Sequence, residues 1–549
     1  MRILRARWAF AGMTLVGFLL VMPYVQARPT SKRAARQVDE ALAEVLFDET
    51  TSLAPRCDDA TYVRRVWLDL VGDIPGPETV IGFVLDTAPH KRRTLVRQLL
   101  NDPQYGQNWA RYWRDVIFYR RTEDRALVGA NAMVADLTQR FNDNVGWNKI
   151  ATEFITATGD VRSNGCTAIL MAQDGRTEQT AAEVARIFLG FQIGCAQCHD
   201  HPYDRWKREQ FHELAAFFPR VGVRSVRTAT RRSFEVFAMN RPLARHPKDA
   251  GRPQPEHFMP DLENPKAPGT RMQPKFFLTG ASLPLGTPDA RRREQLADWI
   301  TDSRWFATAL VNRLWAELVG EGFYESVEDI GPDRQANVPA AIKGLSAKFR
   351  ASGYDLKWLL ETICQTEAYQ RESRPRRGPE GTPFTANVPQ RLRSDQLFNA
   401  ILSVLEIDEA DLAIHRRRAQ KGAAYGIRGS SRQAFNLVFG YDPSVARAEV
   451  VFSIPQALAL MNGLQWNRAL TMPGNSTMLG RLLGDVSDEE DLVTELYWRC
   501  FSREPTADEL ARALAYREEV GGDDQRGRRE AYEDLLWALV NSAEFQYRR

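Results

Sequence analysis

Residues Thr180–His201 read TAAEVARIFLGFQIGCAQCHDH, and this stretch contains both a helix signature and a chemical motif. The apolar residues of its first half recur at the i, i+3, i+4 and i+7 positions of one helix face. They are Val184, Ile187, Phe188 and Phe191. Thr180–Glu183 has the form of a capping box, so we expect the helix to begin there and to end at Gly194. A second apolar stripe begins at Phe211, which places the motif at the corner between two helices.

The motif is Cys-x-x-Cys-His, formed by Cys195, Cys198 and His199. Positions i, i+3 and i+4 share one helix face, so two thiols can form thioethers with a porphyrin while the imidazole Nε2 binds its iron. This is the attachment pattern of c-type haem, and chance would produce it on the order of once in a thousand chains of this composition. The sequence therefore predicts haem c as the cofactor.

Two alternatives stay open for the same residues. Cys195, Cys198, His199 and His201 are all permitted zinc donors, although structural zinc sites usually draw their ligands from two separate segments. A disulfide or redox dithiol is the other alternative, because export favours disulfide formation. In the haem interpretation, His201 is too close in sequence to His199 to bind the opposite side of the same iron.

The N-terminus has the form of a secretory signal peptide. Arginines precede an apolar run over residues 8–22, and Val25-Gln26-Ala27 has the small-residue form of a cleavage site. We expect cleavage after Ala27 and export to the periplasm, the cell envelope or the extracellular space. The run is short for a membrane-spanning helix, and an uncleaved anchor is the alternative. No other apolar stretch of the chain is long enough to span a membrane.

The composition restricts the classes of partner. The 549 residues include 73 Lys+Arg and 70 Asp+Glu, which gives a net charge of +3. This balance does not favour a nucleic acid or an anionic membrane as partner. Six cysteines in so long a chain do not make a disulfide scaffold. We expect Cys364 and Cys500 to be buried thiols, whereas Cys57 and Cys166 flank loops and are candidates for a disulfide.

Helical periodicity divides the mature chain into two parts. Ten of the 29 prolines lie between Pro242 and Pro288, which excludes long helices there. We predict a mainly α fold of two helical domains joined by a Pro-rich connector. The predicted segments are a signal peptide at 1–27, an N-terminal domain with the motif at 28–221, the connector at 222–288 and a C-terminal domain at 289–549. The alternation of apolar residues over 221–236 is compatible with one short β-hairpin.

Several segments resemble a pair of domains known from planctomycetes. Ala185–Gly190, Cys195–Asp204 and the earlier Val63–Gly72 resemble the planctomycete cytochrome-c-like domain of unknown function. The planctomycete-specific domain that usually follows it is similar to Val311–Trp315, Phe439–Ser444 and Ile454–Leu458. The resemblance implies this architecture and export, but no established activity.

The resemblance also has a departure and implies a candidate partner. Many relatives carry a His-His pair just after the Trp of the Asn-Arg-x-Trp motif, where this chain has Glu317 and Leu318, so no metal or haem role is expected there. The family tends to be encoded beside another exported protein of unknown function. That neighbour is a partner implied by the resemblance alone.

Other catalytic motifs are incomplete or absent from the sequence. His212-Glu213 begins like a zinc-protease helix, but Ala216 stands where the second histidine is required. Neither a Gly-x-Ser-x-Gly elbow nor a phosphate-binding loop ending in Lys-Ser/Thr occurs. An extracellular hydrolase with a dispersed carboxylate site stays open as a third class.

The surroundings of a haem are predicted less specifically. Two roles, packing in the core and contact with a porphyrin, are equally expected for Tyr203, Trp206, Phe211, Phe217 and Phe218. Propionate pairing or a solvated helix face would suit Arg205, Lys207, Arg208 and Arg220. The candidates for a distal iron ligand are Met239, Met259, Met272, His246 and His257, and an open sixth position is the alternative.

The sequence thus favours an exported, mainly helical protein with one c-type haem that acts in electron transfer or redox chemistry. The alternative is a non-catalytic binding or scaffold protein whose Cys/His cluster is a structural zinc site. In that case its helical surface would bind another exported protein or a cell-surface polymer.

Overall fold

The computed structural model describes residues 29–48, 51–227, 232–240, 255–375, 381–410, 431–445, 450, 452–463, 477–522 and 524–549. The predicted signal peptide and its cleavage site lie outside these residues. Within them the fold is mainly helical with small antiparallel sheets, as the sequence predicted. No helix in these ranges has the length and apolar composition needed to cross a membrane.

The first half of the chain is built from ten described helices. They are α1 Ser31–Leu46, α2 Asp59–Val71, α3 Pro77–Leu85, α4 Lys91–Leu100, α5 Pro103–Phe118, α6 Ala130–Asn142, α7 Trp147–Thr156, α8 Ala168–Ala172, α9 Thr177–Leu189 and α10 Arg208–Ala215. Short 3-10 turns lie at Asp124–Gly129, Gly165–Thr167 and Ile193–Gln197. Local sequence sets many of these bounds. In α2, for example, the Asp58 side chain caps the first turn, and Gly72 ends the helix with a left-handed φ of 76°.

The described strands are short, and the predicted hairpin is among them. They are β1 Gly159–Asp160, β2 Val221–Arg227, β3 Arg232–Ala238, β4 Phe258–Met259, β5 Thr270–Arg271, β6 Gln390–Arg391 and β7 Tyr547–Arg548. β2 and β3 form the antiparallel hairpin, with Val223 opposite Val236, and β1 lies on the other edge of β3. β4 pairs with β5 inside the Pro-rich stretch.

The second half continues with helices. They are α11 Asp289–Asp302, α12 Arg304–Val319, α13 Pro339–Ala351, α14 Leu356–Cys364, α15 Glu367–Gln370, α16 Ser394–Leu405, α17 Ser431–Phe439, α18 Ile454–Met461, α19 Met478–Asp485, α20 Glu489–Phe501, α21 Ala507–Gly521, α22 Gln525–Asn541 and α23 Ala543–Gln546. β6 and β7 pair two distant parts of this half, which brings the C-terminal residues back to the segment before α16.

The buried core is continuous across residue 289, and the domain boundary expected there stays a prediction. One apolar cluster extends from Val38 to Phe384 and includes residues on both sides of the Pro-rich stretch. Helices α9 and α12 pack against each other, and the rings of Phe188 and Phe306 lie 6.3 Å apart. A second cluster contains residues from Leu392 onward together with two from the α2 region. Prolines mark the end of regular helix, and they do not by themselves mark the end of a packed core.

The Pro-rich stretch is itself part of this packing. Phe276 and Phe277 are buried, and the ring of Phe277 lies 5.0 Å from that of Trp206, next to the motif. The ring of Phe276 stacks on Trp299 of α11. The stretch therefore supplies core side chains to both halves of the chain, in addition to connecting them.

A buried cluster of charges joins four distant segments. Glu328 is almost fully buried, and its carboxylate pairs with Arg186 of α9, with Arg313 of α12 at 3.1 Å and with Arg120 at 2.8 Å. The Ser444 hydroxyl lies 3.2 Å from both the Arg186 and the Arg313 guanidinium. Burial alone would raise the pKa of Glu328, but the three guanidinium groups outweigh it and lower the pKa to about 2.

Two details of the motif helix correct the sequence prediction. α9 begins at Thr177, one residue after Arg176, and Thr180 lies inside it without a hydrogen-bond partner for its hydroxyl. Glu183 pairs with Arg186 at 2.6 Å and is not part of a capping box. The helix ends at Leu189, since Gly190 adopts a left-handed φ of 71°, so the end predicted at Gly194 was also wrong.

Candidate functional site

The Cys-x-x-Cys-His motif lies at the corner between α9 and α10, as predicted. A 3-10 turn over Ile193–Gln197 carries its first part, where the sequence suggested an α-helical turn. Three residues complete one turn of a 3-10 helix, so i and i+3 lie on the same face. Ile193 and Ala196 are fully buried and anchor the inner face. The two motif cysteines therefore share the outer face.

The motif thiols differ from the other described cysteines of the chain. Cys195 and Cys198 are exposed. Buried, unpaired thiols are found at Cys57, Cys166, Cys364 and Cys500. The burial predicted for Cys364 and Cys500 is confirmed. The disulfide suggested for Cys57 and Cys166 is not formed, and the Cys166 thiol instead lies 3.3 Å from an Asp136 carboxylate oxygen.

His199 is exposed, and its ring has a defined tautomer. Its Nδ1 lies 2.7 Å from the backbone carbonyl oxygen of Asp200. A carbonyl oxygen can only accept, so Nδ1 carries the proton and Nε2 has the free lone pair. A histidine that binds a metal through Nε2 commonly donates its other N–H to a carbonyl in this way.

His201 has a different environment from His199. Its backbone amide donates to the Trp206 carbonyl at 2.8 Å, and its Nδ1 accepts from the Tyr203 amide at 3.3 Å. The ring is partly exposed. Among the residues that the structure describes, no three His, Cys, Asp or Glu side chains form a group that could hold a metal ion. The four candidate zinc donors are thus not assembled as a ligand set.

Two buried histidines lie beneath the motif turn. His212 Nε2 lies 3.0 Å from the Gln197 carbonyl oxygen, between the two cysteines in sequence. His212 Nδ1 lies 2.8 Å from His257 Nε2. In the sequence, His212 begins an incomplete protease motif and His257 is a separate candidate iron ligand. No periodicity or motif connects two residues that are 45 positions apart.

The aromatic side chains near the motif are mostly core residues. Trp206, Phe211, Phe217 and Phe218 are buried. The ring of Trp206 lies 5.3 Å from that of Phe191, just before the turn. Tyr203 differs from them because it is 80% exposed. These positions favour core packing over porphyrin contact for all of the predicted aromatic set except Tyr203.

The predicted propionate partners already have partners within the chain. Arg205 pairs with Asp333, Lys207 with Asp200 at 2.9 Å, and the buried Arg220 with Glu256 at 2.8 Å. Arg208 donates to the Pro260 carbonyl and, at 3.4 Å, to the Gln197 carbonyl. The pKa of the exposed Asp200 lies below its ordinary value because the Arg208 amide and the Lys207 ammonium bind its carboxylate.

The distal-ligand candidates have different positions. His246 lies outside the described residues, Met272 is buried, and His257 uses its Nε2 in the contact with His212. The Met239 backbone amide donates a hydrogen bond to the Arg220 carbonyl oxygen. Met259 lies on β4 and is partly exposed. The structure therefore opposes His257 as an iron ligand and does not select a replacement.

The fold and the site together define a mainly helical protein with an exposed Cys-x-x-Cys-His turn. Residues 37–222 match the family described as Protein of unknown function (DUF1549), and residues 292–517 match Protein of unknown function (DUF1553). The chain belongs to the proteins in which these two domains of unknown function follow one another, which confirms the resemblance expected from the sequence. No curated protein and no solved structure matches the chain.

Proposed function

We propose that this protein is exported and carries one covalent c-type haem, attached through Cys195 and Cys198 and ligated by His199, for electron transfer or redox chemistry. The bound haem would supply an iron that alternates between two oxidation states. The observation that supports this most is the contrast among the cysteines. The motif pair is exposed on one face of a turn, while every other described cysteine is buried.

The donor chemistry fits such a group. Cys195 lies in the 3-10 turn and Cys198 caps its end, both are exposed, and their separation in sequence is that of haem attachment. The Asp200 carbonyl accepts from His199 Nδ1, so Nε2 is the ring nitrogen that would bind iron. The exposed thiols and imidazole lie outside the core, whereas Ile193 and Ala196 of the same turn are buried in it.

Exposed apolar side chains near the turn also support the proposal. Phe258 and Leu262 are exposed, and they flank Pro260, whose carbonyl accepts a hydrogen bond from Arg208 at the start of α10. Tyr203 is exposed on the segment that follows the motif. These exposed apolar side chains are candidates for contact with a porphyrin.

The rival is a non-catalytic scaffold with a structural zinc site, whose helical surface binds another exported protein or a polymer. It requires four donors around one ion. The described part of the chain has no assembled group of three or more such side chains. Haem attachment requires only two thiols and one imidazole, and these are exposed within five consecutive residues of one turn, so we favour it.

The experiment is to express the full chain with a functional haem-attachment system and to look for haem on the denatured polypeptide. Because thioethers are covalent, haem should survive denaturation in the wild type. Replacing Cys195 and Cys198 together by Ala should abolish attachment, and His199→Ala should change the absorption spectrum of the haem that is still attached. His201→Ala is the matched control on the same turn and should leave attachment intact.

A control cytochrome matured in the same cells tests the attachment system itself. Wild-type protein without covalent haem beside a loaded control would contradict the proposal. Stoichiometric zinc released by thiol modification would then favour the scaffold with a structural metal. Cell fractionation with N-terminal sequencing tests the export part, for which we expect a mature chain beginning at Arg28.

A further inference from the structure

The two histidines beneath the motif turn take no part in the proposed attachment. His212 is 1% exposed and His257 is 5% exposed. Their rings are 20° from parallel, with centroids 5.1 Å apart. Buried polar groups of this kind cost stability unless their hydrogen bonds are satisfied, so the partners of each nitrogen indicate what the pair does.

Hydrogen-bond chemistry permits one arrangement of protons in the neutral pair. The Gln197 carbonyl oxygen only accepts, so His212 Nε2 donates to it and His212 Nδ1 has the lone pair. His257 Nε2 must then donate to His212 Nδ1. His257 Nδ1 is left as an acceptor and faces Glu178 Oε1 at 4.0 Å.

The surroundings keep both rings neutral. Burial and, to a smaller extent, the neighbouring His212 together lower the pKa of His257 to about 4. Burial also lowers the pKa of His212, with the Gln197 carbonyl and Glu178 opposing this and Arg208 adding to it. The charged groups near the pair are thus Glu178 on α9 and Arg208 on α10.

The Gln197 carbonyl is the point where these contacts reach the motif. It accepts from His212 at 3.0 Å and from Arg208 Nε at 3.4 Å, both on α10. Gln197 lies between the two cysteines, so the orientation of its peptide group sets the backbone from which both thiols extend. His257 keeps the His212 ring from rotating, because it occupies the other ring nitrogen.

We infer that His212 and His257 are positioning residues for the attachment turn, which act through the Gln197 carbonyl to hold Cys195 and Cys198 on the outer face. The use of this arrangement for haem rests on the proposed function, whereas the hydrogen bonds operate in the protein without any cofactor. Loss of the His257 donor should therefore be detected at residues 193–199, to which His257 is linked through His212.

The test compares hydrogen–deuterium exchange in peptides that cover residues 193–199 of the full chain without haem. His257→Leu removes the donor, and we expect exchange in these peptides to increase roughly two- to tenfold, the effect of one lost hydrogen bond. His257→Gln retains an N–H donor and should stay within about twofold of the wild type. Peptides from α12 and α14 should be unchanged in both variants.

His212→Phe is the variant to measure if His257→Leu does not fold. His212→Phe preserves the ring that packs against Phe211 and removes both hydrogen bonds, so it should produce the same local increase. Unchanged exchange at 193–199 in the folded variant would overturn the inference. An equal increase in His257→Gln and His257→Leu would also overturn it, because packing and not the hydrogen bond would then be responsible.

The haem-loaded protein supplies a separate measurement. We expect His257→Leu to lower the fraction of chains with covalent haem and to shift the midpoint potential, and His257→Gln to do neither. Wild-type protein that carries no haem would defeat the proposed function, while the exchange result would still decide whether the pair positions the turn. Haem attachment and potential that are identical in all variants would overturn the role of the pair in attachment.

Discussion

Glu328→Gln tests whether the buried charge cluster holds the four segments together. The substitution keeps the size and shape of the side chain and removes its charge. Arg186 and Arg313, which are 4% and 2% exposed, would then lose the anion that both of them contact. Arg186 keeps its pair with Glu183, but Arg313 loses the carboxylate with which it pairs. A buried charge that loses its partner is strongly destabilising, because the guanidinium group has given up water without compensation.

The decrease in the free energy of unfolding that we expect for Glu328→Gln can be calculated in two ways. Removing one partner of a buried ion pair typically costs about 3–5 kcal/mol. Independently, the fall in the pKa of Glu328 from 4.5 to about 2 corresponds to roughly 3 kcal/mol of preferential stabilisation of the charged form. We therefore expect the free energy of unfolding at pH 7 to decrease by about 3–5 kcal/mol.

Urea unfolding followed by circular dichroism and tryptophan fluorescence measures this change through the midpoint and the slope. The matched control is Asp302→Asn, since Asp302 is 80% exposed and pairs with Arg350 at 3.5 Å. An exposed pair of this kind is worth less than about 1 kcal/mol. A loss below about 1 kcal/mol for Glu328→Gln, equal to that of the control, would refute the reasoning.

The pH dependence of the same variant has a defined sign. The pKa of Glu328 is lower in the folded protein than its ordinary value of 4.5. Its contribution is therefore present above pH 4.5 and is lost as the pH falls towards 2. In that window wild-type stability should decrease more steeply than that of Glu328→Gln, and parallel curves would contradict the assignment.

Two further predictions concern the motif region. The pKa of His257 is about 4 in the folded protein, against 6.5 for a free histidine. As the pH falls from 6.5 to 4, His257 is therefore protonated in the unfolded chain and not in the folded one, and the free energy of unfolding should decrease by up to about 3 kcal/mol. His257→Gln should remove that part of the slope in urea titrations. Gly190→Ala should cost about 2–4 kcal/mol in the same assay, because φ is +71° and the new Cβ would lie 2.8 Å from Ile330 Cγ1. Gly82→Ala inside α3 is the control, because a Cβ there meets nothing within 4 Å and should slightly increase the free energy of unfolding. Equal changes in the free energy of unfolding at the two glycines would show that backbone strain at Gly190 is not the cause.

The local features of this protein could be predicted from its sequence. Helical spacing identified α9 and α10, alternation identified the β2–β3 hairpin, and apolar helical patterns identified the burial of Cys364 and Cys500. Each of these depends on residues close together in the chain, whose periodicity or spacing is visible directly. The predicted start of α9 was less accurate, because the Glu183 carboxylate pairs with Arg186 and does not cap the helix.

Contacts between distant segments were decided by the tertiary structure alone. Glu328 meets arginines from three other parts of the chain, His212 meets His257, and the core continues past the prolines that suggested a domain boundary. A charged residue in a sequence normally predicts an exposed surface position, since burial is unfavourable without a partner. Whether that partner exists depends on how helices far apart in sequence pack, and no local pattern records it.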